Sequence, residues 1–220
     1  MMLQACQELF IRLNPHNRGN CNSLNIHIIT MTTIAAARKG KKICIGSDSL
    51  TLFGNRKEKN CQISSRKDKI IKYQSMYLGF SGSAAWSEVL SDYFKNLKIK
   101  YGLDNVDSIY LEMLRLHKTL KEKYFLTSQQ GNDDIFESSE HLILLINSKG
   151  IFEVDWMRNV REYSQIAAIG SGDEYALGAM KVVYEQESDP KIIVKKGLEA
   201  AAKFDQKTEL PAFYRMLTLS

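Results

Sequence analysis

The stretch MTTIAAARKGKKICIGSDS, which runs from Met31 to Ser49, decides the fold of the chain. Residues 32–37 are short and mainly apolar, residues 38–42 are charged around a central glycine, and residues 43–47 are again mainly apolar. Two short apolar runs separated by a few turn-forming residues are typical of two antiparallel strands. The stretch therefore predicts a β-hairpin that begins at Thr32.

Beyond the hairpin, apolar residues recur with either strand or helix spacing. After a polar loop around Gly54 and Asn55, the strand pattern predicts extended segments at residues 69–73, 76–81, 141–147, 151–156, 166–169 and 213–217. Apolar residues at i, i+3, i+4 and i+7 instead predict helices over residues 84–97, 106–124, 173–184 and 191–204. The elements thus follow the order strands, two helices, strands, two helices, strand.

This order predicts an α+β fold built as a four-layer αββα sandwich. Each predicted sheet has one face to cover with the other sheet and one face to cover with a helix pair. Two antiparallel sheets stacked face to face, with two helices on each outer side, bury every apolar face in the pattern. At 220 residues, the chain is long enough for one such domain.

Composition narrows the function classes. Hydrophobic residues make up 44% and charged residues 25%, which is ordinary globular usage and indicates neither disorder nor a membrane protein. The net charge of +5 is too small to indicate a nucleic-acid partner, and the basic stretch at residues 56–72 includes acidic residues, so we interpret it as solvated surface. The cysteines and histidines lack metal-ligand spacing, so we expect no metal and no cofactor. Cys44 is expected to be a buried thiol, and the lack of a disulfide framework favours the cytoplasm.

The first thirty-one residues are set apart from the predicted domain, which covers residues 32–220. Residues 1–31 are rich in asparagine and show little periodicity, and they lack the basic start and long apolar run of a secretory signal. They are either a propeptide removed by self-processing or an upstream extension of a chain whose true start is Met31. Both routes give a mature chain that begins at Thr32.

Five short motifs follow one another along this domain. Thr32 and Asp48 are sixteen residues apart, Lys69 lies in Asp68-Lys-Ile-Ile-Lys72, and Gly82 ends Tyr77-Leu-Gly-Phe-Ser-Gly82. Ser171 lies in Ala168-Ile-Gly-Ser-Gly172, and the last predicted helix ends in Phe204-Asp205-Gln-Lys-Thr208. In this order and spacing, the motifs resemble those of the HslV and proteasome β-type threonine peptidases, whose mature chains begin with threonine. The resemblance extends from Thr32 to the C-terminus and implies the N-terminal nucleophile hydrolase fold.

The sequence departs from the family pattern at three positions. Met31 precedes the nucleophile where self-processed subunits typically have glycine, Asp173 follows the Gly-Ser-Gly loop, and Thr208 stands where serine is usual. The first departure argues against self-processing, whereas the other two are compatible with catalysis.

The resemblance implies a role for each matching residue. A threonine hydroxyl needs a base, and the α-amine of an N-terminal Thr32 has an ordinary pKa of about 7.7–8.0, which suits that task. Lys69 would lower the pKa of this amine, and Asp48 would hold Lys69. Backbone amides near Gly82 would stabilise the oxyanion. The remaining matches, Ser171, Asp205 and Thr208, would orient the amine and a water.

Four other residues receive simpler interpretations. Thr33 is expected to be structural, and Thr51 and Phe80 are candidates for the specificity pocket. His117 falls on the apolar face of a predicted helix and is expected to be a core or interface residue rather than a ligand, and the same face is expected to bury Tyr110 and Met113.

The resemblance also implies an assembly. We expect a cytoplasmic endopeptidase that forms stacked homo-oligomeric rings and degrades unfolded polypeptide. The sequence has no G-x-x-x-x-G-K-[ST] loop, so an AAA-type ATP-dependent unfoldase would be a separate partner. Two alternatives stay open: an amidase or acylase of the same fold that cleaves small amides, and a non-catalytic ring or scaffold subunit if residues 1–31 remain attached.

Overall fold

Eleven strands and four helices make up the part of the chain that the structure, a computed structural model, describes: residues 32–53, 56–59, 69–83, 85–97, 102–127 and 135–219. The strands are β1 Thr33–Lys39, β2 Lys42–Ser47, β3 Leu50–Phe53, β4 Arg56–Lys59, β5 Ile70–Tyr73, β6 Met76–Ser81, β7 Leu142–Ile146, β8 Ile151–Val154, β9 Val160–Tyr163, β10 Ile166–Gly170 and β11 Phe213–Thr218. The helices are α1 Trp86–Asn96, α2 Val106–Lys123, α3 Asp173–Val183 and α4 Pro190–Phe204.

The predicted hairpin forms the centre of a four-stranded antiparallel sheet with the order β10-β1-β2-β11. In β1, Ile34 pairs with Ser47 of β2 on one side and with Ile169 of β10 on the other. A strand with partners on both sides has its backbone groups satisfied along its length. The start of β1 is therefore held rigidly from two directions.

A five-stranded antiparallel sheet with the order β5-β6-β7-β8-β9 stacks on the first. Aliphatic side chains of both sheets form the layer between them, including Ile34 and Ile45 from the first sheet and Leu144 and Ile151 from the second. The sheets approach closely at Gly79, where an added Cβ would lie 2.6 Å from Cγ2 of Ile34. A larger residue at this position would force the sheets apart.

Helices cover both outer faces of the stacked sheets. Helices α1 and α2 pack their apolar residues, such as Phe94 and Met113, on the five-stranded sheet. Helices α3 and α4 cover the four-stranded sheet through residues that include Met180 and Leu198. The αββα sandwich expected from the order of elements is confirmed.

The sequence patterns missed three strands, and they also misjudged the side chain of Tyr110. β3 and β4 form a two-stranded hairpin on either side of residues 54 and 55, which themselves lie outside the described residues, and β9 was not predicted. Tyr110 was expected in the core but is 44% exposed. The buried stripe of α2 runs through Ile109, Met113, Leu116 and Leu120, and one residue corresponds to about 100° of helix, which turns Tyr110 onto the flank.

The expectation of a buried Cys44 thiol is confirmed, whereas the expectation that His117 is not a ligand stays a prediction. Cys44 is fully buried, and burial raises the pKa of its thiol to about 12. His117 is half-buried, with Nδ1 3.0 Å from Oγ of Ser139 and Nε2 3.3 Å from a carboxylate oxygen of Glu137. Within the described residues, no helix combines the length and the apolar character that crossing a membrane requires.

We predict that His141 makes the fold sensitive to acid. It is 3% exposed, packs on Trp86 with ring centroids 4.5 Å apart, and its Nδ1 lies 2.6 Å from the carbonyl oxygen of Ser139. Burial lowers its pKa from 6.5 to about 4, so between these values the unfolded chain binds a proton that the folded chain does not. The free energy of unfolding should therefore fall as the pH is lowered from about 6.5 to 4, by about 3 kcal/mol in all. Urea denaturation at a series of pH values measures this.

The matched control is His141→Phe, which keeps a ring against Trp86 but has no titratable group. This variant should start from a lower stability, because the carbonyl of Ser139 loses its donor, and should show a shallower decline in the same pH range. An equally steep decline in wild type and variant would assign the acid sensitivity to other groups.

Candidate active site

Two neighbouring threonines at the start of β1 point their side chains in opposite directions. Successive side chains of a strand alternate between the faces of a sheet. Ile34 and Ala36 face the layer between the sheets, whereas Ala35 and Ala37 face helices α3 and α4. The same alternation directs Thr32 towards the second sheet and Thr33 towards the helices. Each threonine joins a different polar network.

In the first network, the ammonium group of Lys69 donates a hydrogen bond to the hydroxyl of Thr32. Nζ of Lys69 donates to Oγ1 of Thr32 over 2.9 Å and to Oδ1 of Asp48 over 2.7 Å. Lys69 directly precedes β5 and is only 8% exposed, so the expectation that the basic stretch at residues 56–72 is solvated was wrong for this residue. Among the described residues, the buried carboxylate of Asp48 is the ion-pair partner of its ammonium group.

Asp48 is held by backbone donors from three parts of the chain. Its Oδ1 also accepts from the amide of Thr33 over 3.1 Å, and its Oδ2 accepts from the amides of Leu50 over 2.9 Å and Glu209 over 3.5 Å. Burial raises the pKa of Asp48 and lowers the pKa of Lys69, and their mutual attraction acts in the opposite direction on both. The pair thus presents a desolvated ammonium to the Thr32 hydroxyl.

The second network lies on the helix side of β1 and centres on Asp205, which directly follows α4. Its Oδ2 accepts from Oγ of Ser171 over 2.7 Å and from Oγ1 of Thr208 over 2.5 Å. Oγ1 of Thr208 is in turn 2.5 Å from Oγ1 of Thr33, which accepts from the amide of Gly172 over 3.1 Å. Thr33 therefore links this cluster to the strand that carries Thr32.

The loop after β10 packs directly on the backbone of Thr32. The amide of Ser171 donates to the carbonyl oxygen of Thr32 over 3.0 Å. Gly170 has φ +106°, and a Cβ built on it would lie 1.7 Å from that oxygen. Only glycine fits here, since any side chain would overlap the carbonyl and the backbone angle disfavours L-residues.

Gly82 lies at the end of the neighbouring strand β6. The Cβ position built on Gly170 lies 3.2 Å from the hydroxyl oxygen of Ser81, the last residue of β6. Since the same Cβ position overlaps the Thr32 carbonyl, the end of β6 lies close to that carbonyl. Gly82 follows with φ +152°, and a Cβ there would lie 2.8 Å from the ring of Trp86. The residue predicted to supply an oxyanion donor thus directly follows the strand that ends beside Thr32.

The structure gathers the seven predicted site residues around the start of β1. Thr32, Asp48 and Lys69 form one hydrogen-bonded group, Ser171, Asp205 and Thr208 form another, and Gly82 follows the strand that ends beside them. Their catalytic roles stay predictions. Thr33, which was expected to be structural, carries two hydrogen bonds of the second group, and the alternation of strand side chains was the signal that could have placed it there.

The two candidates for the specificity pocket differ in what the structure says of them. Phe80 is buried in the core between the five-stranded sheet and helices α1 and α2. The side chain of Thr51 lies outside the described part of the chain. The pocket assignment stays a prediction for both.

Comparisons with known proteins give the family. The sequence profile of the family described as "Proteasome subunit" matches residues 29–208. The ATP-dependent protease subunit HslV of Caldicellulosiruptor saccharolyticus is 30% identical over 175 residues, which cover 78% of this chain and 89% of that protein. The chain belongs to the HslV and proteasome β-type family. Its αββα sandwich is therefore the N-terminal nucleophile hydrolase fold, and the chain is a hydrolase of the threonine peptidase class.

Two solved structures resemble the chain closely. Thiobacillus denitrificans BPH superposes with a TM-score of 0.80 at 37% identity, covering 86% of this chain and 99% of that one. The same protein in complex with Epoxomicin gives a TM-score of 0.79 at 37% identity, covering 86% of this chain and 100% of that one. The likeness therefore extends over most of the chain.

We predict that Gly170→Ala abolishes activity. The added methyl group would overlap the Thr32 carbonyl, so either that residue or the loop after β10 must move. Misplacing a reacting group by about 1 Å is enough to cost about 100-fold in rate. Peptidase activity of the purified variant, set against its circular dichroism spectrum, measures the effect.

Gly178→Ala is the matched control in the adjacent helix α3. An added Cβ there meets no atom within 4 Å, and alanine stabilises an exposed helical site by about 0.5–1 kcal/mol relative to glycine. This variant should keep full activity. An active Gly170→Ala enzyme would show that Thr32 does not need the observed position.

Proposed function

We propose that the mature chain begins at Thr32 and hydrolyses peptide bonds of unfolded polypeptides, with the Thr32 hydroxyl as the nucleophile. The contact of Lys69 Nζ with Thr32 Oγ1 at 2.9 Å, backed by buried Asp48, carries this proposal. A charged donor held rigidly against the nucleophilic oxygen stabilises the negative charge that develops on this oxygen during attack.

The proposed reaction runs through an ester intermediate. Thr32 Oγ1 attacks the carbonyl carbon of the scissile bond while its proton passes to the α-amine of Thr32, directly or through one water. Backbone amides near Gly82 donate to the oxyanion of the tetrahedral intermediate. The C–N bond then breaks, and the leaving amine takes the proton from the α-ammonium. Water hydrolyses the ester by the same steps and regenerates the hydroxyl.

Lys69 acts on both ionisable groups of Thr32 in this proposal. Its ammonium donates to Oγ1, which stabilises the negative charge that develops on this oxygen during attack. The same positive charge disfavours protonation of the nearby α-amine and keeps the amine available as a base near neutral pH. Asp48 fixes the ammonium and is itself fixed by the backbone amides that it accepts from.

The proposal requires a free α-amine at Thr32, and therefore the removal of residues 1–31. Self-processing and translation from Met31, followed by removal of the methionine, both produce this end. The family profile starts at residue 29, three positions before Thr32, which supports a mature domain of residues 32–220.

We further propose that the subunit works in a ring-shaped proteasome-like complex in the cytoplasm. The relatives named ATP-dependent protease subunit HslV support an ATP-dependent unfoldase as a separate partner that delivers unfolded polypeptide. A panel of small amides tested beside an unfolded protein substrate separates this function from that of an amidase with the same fold.

Intact mass before and after treatment with a peptide epoxyketone tests the proposal directly. This electrophile forms its stable adduct only with a hydroxyl nucleophile and an adjacent free amine. Protein expressed from Met31 should have the mass of a chain that begins at Thr32, should gain one inhibitor mass, and should lose both labelling and activity on Thr32→Ala. The full-length chain with residues 1–31 attached should stay unlabelled. A processed wild-type chain without an adduct would overturn the proposal.

A second prediction concerns the ammonium group at the site. Lys69→Met should lower kcat/KM by about 100-fold or more, since it removes the charged donor from the nucleophile. It should also lower the free energy of unfolding by about 3–5 kcal/mol, since Asp48 is left as an unpaired buried charge. Steady-state kinetics and urea denaturation measure the two effects.

Two further variants separate catalysis from stability. Lys69→Met combined with Asp48→Asn removes both charges, so it should recover part of the lost stability while remaining inactive. Lys72→Met, on the exposed face of β5, should keep wild-type activity. Recovery of activity in the Lys69→Met, Asp48→Asn enzyme would show that Lys69 serves only the fold.

A further inference from the structure

We propose that Thr33 is a positioning residue that holds Thr208, and through it the Asp205 carboxylate, in the place where Asp205 accepts from Ser171, and that it thereby prepares Ser171 to accept from the α-amine of Thr32. This inference rests on the proposed function of Thr32 and adds a residue outside the family motifs quoted above. It follows from assigning each hydrogen in the buried cluster.

The assignment starts at Asp205, which as a carboxylate only accepts. Its Oδ2 lies 2.7 Å from Oγ of Ser171 and 2.5 Å from Oγ1 of Thr208. Each hydroxyl has one hydrogen, so both Ser171 and Thr208 donate theirs to this oxygen. Neither has a hydrogen left for another acceptor.

Thr33 is then the only possible donor in its contact with Thr208. Oγ1 of Thr208 has given its hydrogen to Asp205, so at 2.5 Å it accepts from Oγ1 of Thr33. Thr33 in turn accepts from the amide of Gly172 over 3.1 Å. The bonds run in one direction, from the Gly172 amide through Thr33 and Thr208 to Asp205.

The loop after β10 is shaped to admit this hydroxyl. A Cβ on Gly172 would lie 2.5 Å from Oγ1 of Thr33 and 3.1 Å from Oγ1 of Thr208, so a side chain there would displace both. Thr33 is 0% exposed and Thr208 is also buried. Bulk water therefore does not contact either of these two residues directly.

The consequence for catalysis lies at Ser171. With its hydrogen held by Asp205, its oxygen presents only lone pairs, and its amide is bonded to the Thr32 carbonyl over 3.0 Å. The N–H groups of the Thr32 amine are the donors that these lone pairs suit. A hydrogen bond of this kind favours the ammonium form and strengthens the amine as a base. Without the Thr33 hydroxyl, Thr208 and the Asp205 carboxylate lose an anchor. A displaced Asp205 no longer holds the Ser171 hydrogen, so the Ser171 hydroxyl can turn and donate to the amine lone pair, which weakens the base.

The test compares Thr33→Val with Thr33→Ser. Valine keeps the shape and the strand preference of threonine without the hydroxyl, and serine keeps the hydroxyl. Rates are expressed per epoxyketone-labelled site, so that misfolded protein does not count. Thr33→Val should lower kcat about tenfold with KM within about twofold, and should move the acidic limb of the kcat/KM profile to lower pH. Thr33→Ser should restore both.

A double-mutant cycle tests whether Thr33 acts through Thr208. Thr208→Val should move the acidic limb in the same direction, and the double variant Thr33→Val, Thr208→Val should be no slower than Thr208→Val alone. Because rates are expressed per labelled site, the cycle stays decisive even if part of the Thr33→Val protein is misfolded.

The outcomes distinguish this inference from the function on which it rests. A wild-type chain that is not labelled at Thr32 would overturn both. A labelled wild type, with an acidic limb that neither Thr33→Val nor Thr208→Val moves, would overturn the positioning role alone. Multiplicative losses in the double variant would likewise overturn it, because they would mean that the two hydroxyls act independently.

Discussion

The buried ion pair between Asp48 and Lys69 is the interaction on which the site depends. Moving each charge out of water costs several kcal/mol, and their attraction offsets this only when the remaining lone pairs and protons are satisfied. Here the amides of Thr33 and Leu50 supply donors to the carboxylate, and the hydroxyl of Thr32 supplies an acceptor to the ammonium. The pair therefore links the edge of the five-stranded sheet to the start of β1. The Thr32 hydroxyl, which is the candidate nucleophile, also helps to satisfy the buried ammonium of Lys69.

A strand is an effective carrier for such a site because its side chains alternate. Thr32 contributes to the ion-pair network between the sheets, and Thr33 contributes to the hydroxyl network around the Asp205 carboxylate beneath the helices. The two networks share the peptide that joins the two residues, so each restrains it from a different face. Both networks are covered because the four-stranded sheet is packed on both faces, by the second sheet and by helices α3 and α4. A sheet covered on one face would leave one network in water, where exposed charged pairs contribute little to stability.

Patterns in the sequence predict most of the elements that bury apolar faces, and the strands that they miss are all four residues long. The central hairpin, the β5–β6 and β7–β8 pairs and all four helices carry clear periods. The sequence of β4 is Arg-Lys-Glu-Lys, which has no apolar alternation that could predict a strand. This strand is formed by backbone pairing with β3. β9 is a four-residue edge strand with two charged residues. For the site, motif spacing selects residues near the nucleophile, but the bond between Thr33 and Thr208 joins positions 175 residues apart and depends on how α4 ends beneath β1.

The same geometry explains how a chain end is held for catalysis. When residues 1–31 are absent, Thr32 has no covalent restraint on its amino side, and ordering one backbone residue costs about 1–2 kcal/mol. Its carbonyl oxygen accepts from Ser171, its hydroxyl accepts from Lys69, and the following amide donates to Asp48. These bonds come from three separate segments. The segment that contains Ser171 can approach the Thr32 carbonyl closely because Gly170 has no Cβ. A terminal residue restrained in this way loses its freedom during folding, before substrate arrives, so the cost is not added to the barrier of the reaction.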